Sequence, residues 1–436
     1  MKIFAGMVTE GTSFKSNMIL DIGASQKEGS CKVYYSSTPT DETFFKERTT
    51  LNDLGKARFE DQNEFIGLVV KKIAETQKGQ RDTVKSHGYP ESENILKNVA
   101  VFVPSHTLAN MALYLPNLKD GKNNPLSDIN FGDFKNALRN NGVQISEDMN
   151  FKILHDVLGT GLAMSKKLYD YGMLQEGSLY TACITGGGCG IANIEMPDEA
   201  NVIIKSSGSS YLTEGFNIQK ISKAGASAPA LIENFCKAMG FEPEIIDEIK
   251  SCHKSEFALE PTVTYAKDVN SQKLKKLLVD SNLFEIVDES DNMFTISVRS
   301  EYIHQYNNAR RNAIDKYCLA FARLAVIKKT EGANGMIVTG TLAHAVNRSA
   351  RFAYGTPVAD WITQHLIQSF SSRELDKMDA AYGFKVLCEN KFFIDNNADC
   401  GGLVHLAKFV GSHRNNWLKI NIKDLSRSSV KKVLCK

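Results

Sequence analysis

One stretch, residues 151–196, constrains the fold of this chain more than any other. It contains Asp156 among apolar residues that recur at helical spacing, which are Leu154, Val157, Leu158, Gly161 and Leu162. This spacing predicts a helix with one apolar face. Asp156 would lie at or beside its N-cap, where a carboxylate can accept backbone N–H groups and oppose the positive end of the helix dipole.

A glycine-rich turn follows in the same stretch, with the sequence Gly186-Gly187-Gly188-Cys189-Gly190. Apolar runs at 179–184 and 191–196 flank it, a pattern typical of a β-hairpin. Glycines in such a turn let backbone N–H groups approach an anion without interference from Cβ atoms. An acid that can act as a base, followed by a hairpin that can hold phosphate, predicts phosphoryl transfer. Taken singly, Asp156 could be an ordinary helix cap and the glycines an ordinary turn.

The bulk composition excludes several classes of function. A chain of 436 residues suits two domains. Its 52 basic and 50 acidic residues give a net charge of +2, which argues against nucleic-acid binding by phosphate neutralisation. No apolar run approaches the length of about eighteen residues that a membrane span needs. The first seventeen residues lack the apolar core of a secretory signal.

The nine cysteines are scattered and form no C-x-x-C pair. Their positions do not fit zinc-type spacing, and a disulfide framework is not expected in so large a chain. We therefore expect a reducing compartment, the cytoplasm.

The order of predicted elements indicates two α/β halves. The first half has strands at 17–22, 31–35, 98–104 and 151–154 and helices at 60–77 and 133–140. Polar loops are predicted at 78–94 and 115–130. The second half has the two strands around the glycine turn, strands at 202–204 and 336–340, and helices at 228–239 and 313–325, with a charged insertion at about 240–300. Such a repeat without sequence identity predicts a ligand cleft between the halves.

Several short motifs in one order carry a resemblance to a known family. They are Asp21-Ile22-Gly23-Ala24-Ser25, Asn117 in the sequence LPN, the pair His155-Asp156, the glycine turn with Thr185 before it, residues 336–342 (MIVTGTL), and Asp399-Cys400-Gly401-Gly402-Leu403. In this order they resemble the phosphate loops, base and nucleotide-binding segments of bacterial glucokinases and the related ROK sugar kinases. These kinases are members of the actin-like ATPase superfamily.

The resemblance implies an α/β fold of the two-lobed actin-like ATPase (ribonuclease H-like) type with an inter-domain cleft. It implies a small domain at 1–156, a C-terminal helix at about 403–436 that packs back on this domain, and a large domain at 157–402 that carries the insertion. It further implies ATP and Mg²⁺ as cofactors, a sugar substrate, a cytoplasmic location and a possible homodimer. No nucleic-acid or membrane partner is expected.

The same resemblance assigns roles to individual residues. Asp156 would be the general base, and Asp21 would orient Mg²⁺ through water. The phosphates would be lined by Gly23, Ser25, Gly186, Gly187 and Gly188, and the adenosine by Gly340 and Thr341. On the sugar side the candidates are Asn117, His155, Ser206, Ser209 and Gln219.

One departure from the family keeps alternatives open. The family's Glu-x-Gly-His element, which holds the sugar, corresponds here to Ser206-Ser207-Gly208-Ser209. A further family glutamate has Gln219 as its nearest counterpart. We predict an ATP-dependent hexose kinase. The alternative is a non-catalytic or regulatory relative that binds sugar or nucleotide without turnover, and a third option is an actin-like or chaperone-like ATPase.

Overall fold

The computed structural model describes residues 15–24, 29–38, 45–51, 58–86, 95–103, 107–108, 111–206, 225–369, 385–388, 408–409 and 417–427. The chain divides into two compact units. The first comprises Met1–Ser178, Ile194–Ser206 and Asp395–Lys436, and the second comprises Leu179–Asn193 and Ser207–Ile394. The domain boundary predicted at residue 156 therefore lies inside the first unit.

The strands and helices are numbered in chain order. The strands are β1 Lys15–Ala24, β2 Gly29–Thr38, β3 Phe45–Leu51, β4 Leu96–Val103, β5 Thr107–Leu108, β6 Met111–Lys119, β7 Pro125–Asn130, β8 Ile145–His155, β9 Leu179–Thr185, β10 Cys189–Asp198, β11 Asn201–Ser206, β12 Thr262–Ala266, β13 Phe284–Glu289, β14 Met293–Val298, β15 Gly335–Thr339, β16 Lys385–Cys388, β17 Lys408–Phe409 and β18 Trp417–Asn421. The helices are α1 Gln62–Ser86, α2 Phe134–Asn140, α3 Asp156–Asp170, α4 Ala228–Met239, α5 Pro243–Lys250, α6 Val269–Asp280, α7 Ile303–Thr330, α8 Thr341–Tyr354, α9 Val358–Ser369 and α10 Ile422–Arg427. None of these described helices combines the length and apolarity needed to cross a bilayer.

The first unit contains a five-stranded sheet in the order β3-β2-β1-β4-β8. Strands β1, β2 and β3 pair antiparallel, whereas β4 is parallel to both β1 and β8. Helix α1 packs on this sheet through Phe65, Val69 and Ile73, which follow one another at four-residue spacing and are fully buried. Burying each such side chain contributes about 1.5–3 kcal/mol to folding.

A seven-stranded sheet has the order β16-β15-β9-β10-β11-β18-β17. Strand β15 is parallel to both β9 and β16, while β18 is antiparallel to β11. Read from β11 to β16, the strands stand in the order third, second, first, fourth and fifth, which is also the order of the first sheet. The predicted repeat of two α/β halves is therefore confirmed in the topology of the sheets.

Residues 240–300, predicted as a charged insertion without pattern, form an ordered part of the second unit. Helices α5 and α6 accompany a three-stranded antiparallel sheet in the order β12-β14-β13. Its buried face joins the main hydrophobic core of this unit through Val263, Tyr265, Phe294, Ile296 and Val298. The alternation of buried and exposed residues runs over only the five residues of β12 and the six of β14, which is a short signal in a single sequence.

Two stretches predicted as loops are regular structure. Helix α1 extends to Ser86, through half of the predicted loop at 78–94, because Lys, Gln and Arg are good helix formers although they are polar. The predicted loop at 115–130 is instead the end of β6, a tight turn and β7. Asp120 explains the turn, because its Oδ1 accepts hydrogen bonds from the backbone N–H groups of Lys122 (2.9 Å) and Asn124 (2.7 Å).

The prediction of a helix over about 403–436 is wrong for part of this segment. Residues 417–421 form β18, in which the buried Leu418 and Ile420 alternate with half-buried neighbours, as expected of a strand. Within the described part of this segment, only α10 is helical.

Candidate active site

Strand β8 ends at His155 and helix α3 begins at the next residue, Asp156, without an intervening loop. His155 is the N-cap of α3 and has an extended backbone (φ −61°, ψ 133°), and Asp156 is the first helical residue. The prediction that Asp156 lies beside the N-cap is therefore confirmed. A carboxylate at this position is favoured by the positive end of the helix dipole.

The surroundings of Asp156 tune its acidity towards neutral pH. Burial raises the pKa of Asp156 to about 7, against the lowering effect of hydrogen bonds from the backbone N–H groups of Val157 and of Asp156 itself. Its side chain retains 30% of its exposure, so the carboxyl remains accessible. A carboxyl with these properties exchanges protons readily near neutral pH, as a general base must.

His155 connects Asp156 to strand β11. Its Nε2 lies 3.3 Å from Oδ1 of Asp156, and its Nδ1 lies 2.7 Å from Oγ of Ser206, the last residue of β11. Burial lowers the pKa of His155 to about 4, so the imidazole is neutral at pH 7. The structure thus brings together three residues of the first unit that the sequence predicted for the site.

The second unit carries the glycine turn between β9 and β10. The N–H of Gly186 donates a hydrogen bond to the carbonyl of Gly188 at 3.0 Å. At the other end of the hairpin, the N–H of Met196 donates to the carbonyl of Ser178 at 2.9 Å. A Cβ added at Gly186, Gly187 or Gly188 would meet no atom of the described residues within 4 Å, and none of the three has a left-handed φ. Neither packing nor backbone conformation in the described part of the chain therefore explains these three glycines. A ligand that approaches the bare backbone would explain them.

Gly340 packs directly on the strand that leads into this turn. Its φ is +122°, and a Cβ there would lie 1.9 Å from the carbonyl oxygen of Thr185. Thr341 then begins α8, whose N-cap provides no side-chain hydrogen bond. The buried Oγ1 of Thr339 has no hydrogen-bond partner among the described residues. The two segments predicted to bind nucleotide, 186–188 and 340–341, therefore lie together, and the bare glycine backbone beside the first turn of a helix suits the phosphates of a nucleotide.

The start of α4 also lies at the glycine turn, which the sequence analysis missed. The N–H of Ala228, the first residue of α4, donates to the carbonyl of Gly186 at 2.8 Å. The signal in the sequence is Ser227-Ala228-Pro229, an N-cap residue followed by a proline in the first turn. Two helix N-termini, those of α4 and α8, thus begin beside the glycine hairpin, and both favour anions.

Comparison with known proteins supports the fold. No family model matches the sequence. No curated protein matches it. Among solved structures, the glucokinase from Balamuthia mandrillaris in complex with glucose has a TM-score of 0.51 and 10% identity, over 91% of this chain and 95% of that chain. The hexokinase from Schistosoma mansoni complexed with glucose has a TM-score of 0.47 and 11% identity, over 87% of this chain and 83% of that chain. The ROK hexokinase from Thermus thermophilus has a TM-score of 0.42 and 10% identity, over 90% of this chain and 97% of that chain.

The chain has an actin-like ATPase fold. This conclusion rests on the repeated strand order and on the similarity to the Balamuthia glucokinase. The resemblance to glucokinases, inferred from motifs, is confirmed at the level of the fold.

The other predicted site residues lie on strands of the first unit or outside the described residues. Asp21 and Gly23 lie within β1 and not at the bend predicted after it. In the backbone register, Asp21 stands opposite Lys32 of β2 and Phe102 of β4. Asn117 lies on β6. The remaining predicted positions, Ser25, Ser209, Gln219 and 399–403, are outside the described residues. Within the described ranges, no three His, Cys, Asp or Glu side chains cluster as a protein cage for a metal.

Proposed function

We propose that this chain is a kinase that transfers the γ-phosphoryl group of ATP to a hydroxyl group of a hexose. The observation that carries this proposal is the Asp156 carboxyl, which stands at the start of α3 with its pKa raised to about 7. The actin-like fold adds support, since the similar Balamuthia protein is a glucokinase crystallised with glucose.

In the proposed reaction, Asp156 accepts the proton of the acceptor hydroxyl. The hydroxyl oxygen forms a bond to the γ-phosphorus, the bond from this phosphorus to the bridging oxygen breaks, and ADP leaves with that electron pair. A base whose pKa is close to the working pH is about half ionised and still holds the proton it receives. The buried, neutral His155 orients the carboxyl from its 3.3 Å position without neutralising its charge.

The nucleotide would be held by the second unit. The backbone of Gly186, Gly187 and Gly188 would contact the phosphates, and Gly340 and Thr341 would lie along the adenosine. In the first unit, Gly23 and Ser25 would complete the phosphate contacts, and Asp21 would hold Mg²⁺ through water. The metal would supply positive charge that stabilises the transferring phosphoryl group.

The sugar would be held by residues around the base. Asn117 can donate and accept hydrogen bonds, and Ser209 and Gln219 are the candidates after β11. Ser206 differs from these, because its hydroxyl is already 2.7 Å from His155. We therefore propose that Ser206 fixes the imidazole, and that the sugar is contacted by His155 and the remaining candidates.

Release of ADP, measured with a panel of hexoses and amino sugars, tests the function directly. We expect release that depends on one sugar or a small set of sugars. Nucleotide binding without release for any sugar would instead support the regulatory alternative, and release independent of sugar would support an ATPase that works through partners.

A further inference from the structure

A cavity of about 440 Å³ opens on the first unit beside α2 and the beginning of β8. It lies among residues 131–151, and none of the residues assigned above to base, nucleotide or sugar lines it. Its volume falls within the range of about 300–1,000 Å³ that is usual for small-molecule sites.

The floor of the cavity is aromatic. The rings of Phe134 and Phe151 lie 4.5 Å apart between centroids with an interplanar angle of 31°, and Phe131 packs on Phe134 at 5.3 Å. Phe131 and Phe134 are buried, whereas Phe151 is half-buried at the cavity. Such a floor accepts a planar or apolar ring, because aromatic rings prefer offset or edge contacts at these separations.

The rim of the cavity carries uncompensated positive charge. Lys135 and Arg139 line it at i and i+4 on α2, so they share one face of that helix. Asp133 also lines it, and none of these three side chains forms an ion pair within the described residues. Two cations and one carboxylate leave an excess of one positive charge. The amides of Asn136 and Asn150 add hydrogen-bond donors and acceptors at the same rim.

We propose that this cavity binds a phosphate monoester attached to a planar ring. A phosphate monoester carries nearly two negative charges and three strong acceptor oxygens at neutral pH, which Arg139 and an amide at the rim can bind, and Lys135 would then stand beside the ring of the ligand. Arginine is suited to this role because its planar fork matches a phosphate group with two parallel hydrogen bonds. The ring of the ligand would lie against Phe151. This proposal does not depend on phosphoryl transfer by the protein.

Pyridoxal 5′-phosphate is a suitable probe, because it joins a phosphate monoester to a pyridine ring. Its aldehyde condenses with a lysine amine to an imine and releases water. Borohydride then adds hydride to the imine carbon, a proton reaches the nitrogen, and the adduct becomes permanent. Peptide mapping by mass spectrometry measures the label at each lysine. We expect Lys135 to be labelled about tenfold more than Lys122, an exposed lysine on the β6–β7 turn.

Three comparisons decide the result. Arg139→Gln changes an exposed residue and should reduce the label at Lys135 about tenfold, as expected for the loss of a charge-assisted contact. The matched control Arg58→Gln changes an arginine that does not line the cavity and should leave the label unchanged. Pyridoxal, which lacks the phosphate, should label Lys135 no more than Lys122. Equal labelling of Lys135 and Lys122 by pyridoxal 5′-phosphate, or no effect of Arg139→Gln in a variant with normal thermal unfolding, would overturn the proposal.

Discussion

Ser206 and His155 are held together by a contact of 2.7 Å between Oγ and Nδ1, although 50 residues separate them along the chain. The carboxylate of Asp156, on the other side of the ring, decides the tautomer of the imidazole. An ionised Asp156 only accepts hydrogen bonds, which favours the His155 proton on Nε2, the nitrogen that faces it. Nδ1 is then the acceptor of the Ser206 hydroxyl proton. Ser206 is in this way a positioning residue for the candidate base.

Removal of the Ser206 hydroxyl should therefore affect turnover more than nucleotide binding. The loss of one neutral hydrogen bond is worth about 0.5–1.5 kcal/mol, so we expect Ser206→Ala to lower kcat by up to about tenfold. The KM for ATP should stay within about twofold of the wild-type value, because the glycine turn is untouched. Ser206→Thr keeps the hydroxyl and should restore most of kcat. An unchanged kcat in Ser206→Ala would show that the contact does not position the base.

The glycine turn should tolerate a methyl group structurally but not functionally. Gly187→Ala places its Cβ in open space and needs no left-handed φ, so thermal stability should be unchanged or raised by about 0.4–1 kcal/mol. The same methyl group would stand where the phosphates approach, and we expect the KM for ATP to rise about tenfold or more. Gly121→Ala is the matched control, since its Cβ also meets no atom within 4 Å but it lies in the β6–β7 turn. Equal ATP affinities of both variants would contradict the phosphate role.

Gly340, in contrast to Gly187, should not tolerate a methyl group structurally. A Cβ at this position would lie 1.9 Å from the carbonyl oxygen of Thr185 and 2.5 Å from its nitrogen, and both are backbone atoms that cannot move aside alone. Its φ of +122° adds strain for any other residue. We expect Gly340→Ala to lower the free energy of unfolding by about 3 kcal/mol or more, measured by chemical denaturation. A variant as stable as the wild type would show that β15 and β9 are not packed this closely.

The parts of the fold that the sequence predicts are those with long and regular patterns. The apolar spacing around Asp156 identifies α3, and the apolar runs around residues 186–190 identify the β9–β10 hairpin. Apolar spacing, turn residues and strand-forming runs are local patterns, so they can be recognised in a single sequence.

The parts that could not be predicted depend on contacts between distant residues. The packing of Gly340 on Thr185 and the contact of His155 with Ser206 arise only when strands far apart in the chain become neighbours. The same holds for β18, which pairs with β11 from the far end of the chain. No local propensity reports such pairings, since burial and partner decide whether a short apolar run becomes a strand.

The raised pKa of Asp156 makes a prediction for stability that does not involve turnover. Its folded pKa of about 7 exceeds the ordinary value of 3.8, so between about pH 4 and pH 7 the folded state binds more protons than the unfolded state. The wild type therefore loses stability as the pH rises through this window. Asp156→Asn does not titrate there and should be more stable than the wild type at pH 8, but not at pH 4.

Partial exposure of the Asp156 side chain reduces the size of this effect. With the shift discounted for solvent screening, we expect a difference of about 1–2 kcal/mol at pH 8. Thermal unfolding at several pH values measures it as a few degrees in Tm. Parallel curves for the two proteins across the window would show that the pKa of Asp156 is not raised.

The role of Asp156 as the base is tested most directly by the pH dependence of sugar-dependent ADP release. For the wild type we expect kcat/KM to rise with a single ionisation near pH 7 and to level above it, because the carboxyl must be ionised to accept a proton. Asp156→Asn should lose about 10²- to 10⁴-fold in kcat and the ionisation with it, while ATP binding stays within about twofold. Turnover by Asp156→Asn close to the wild-type rate, or an ionisation near pH 7 that survives the substitution, would contradict the account.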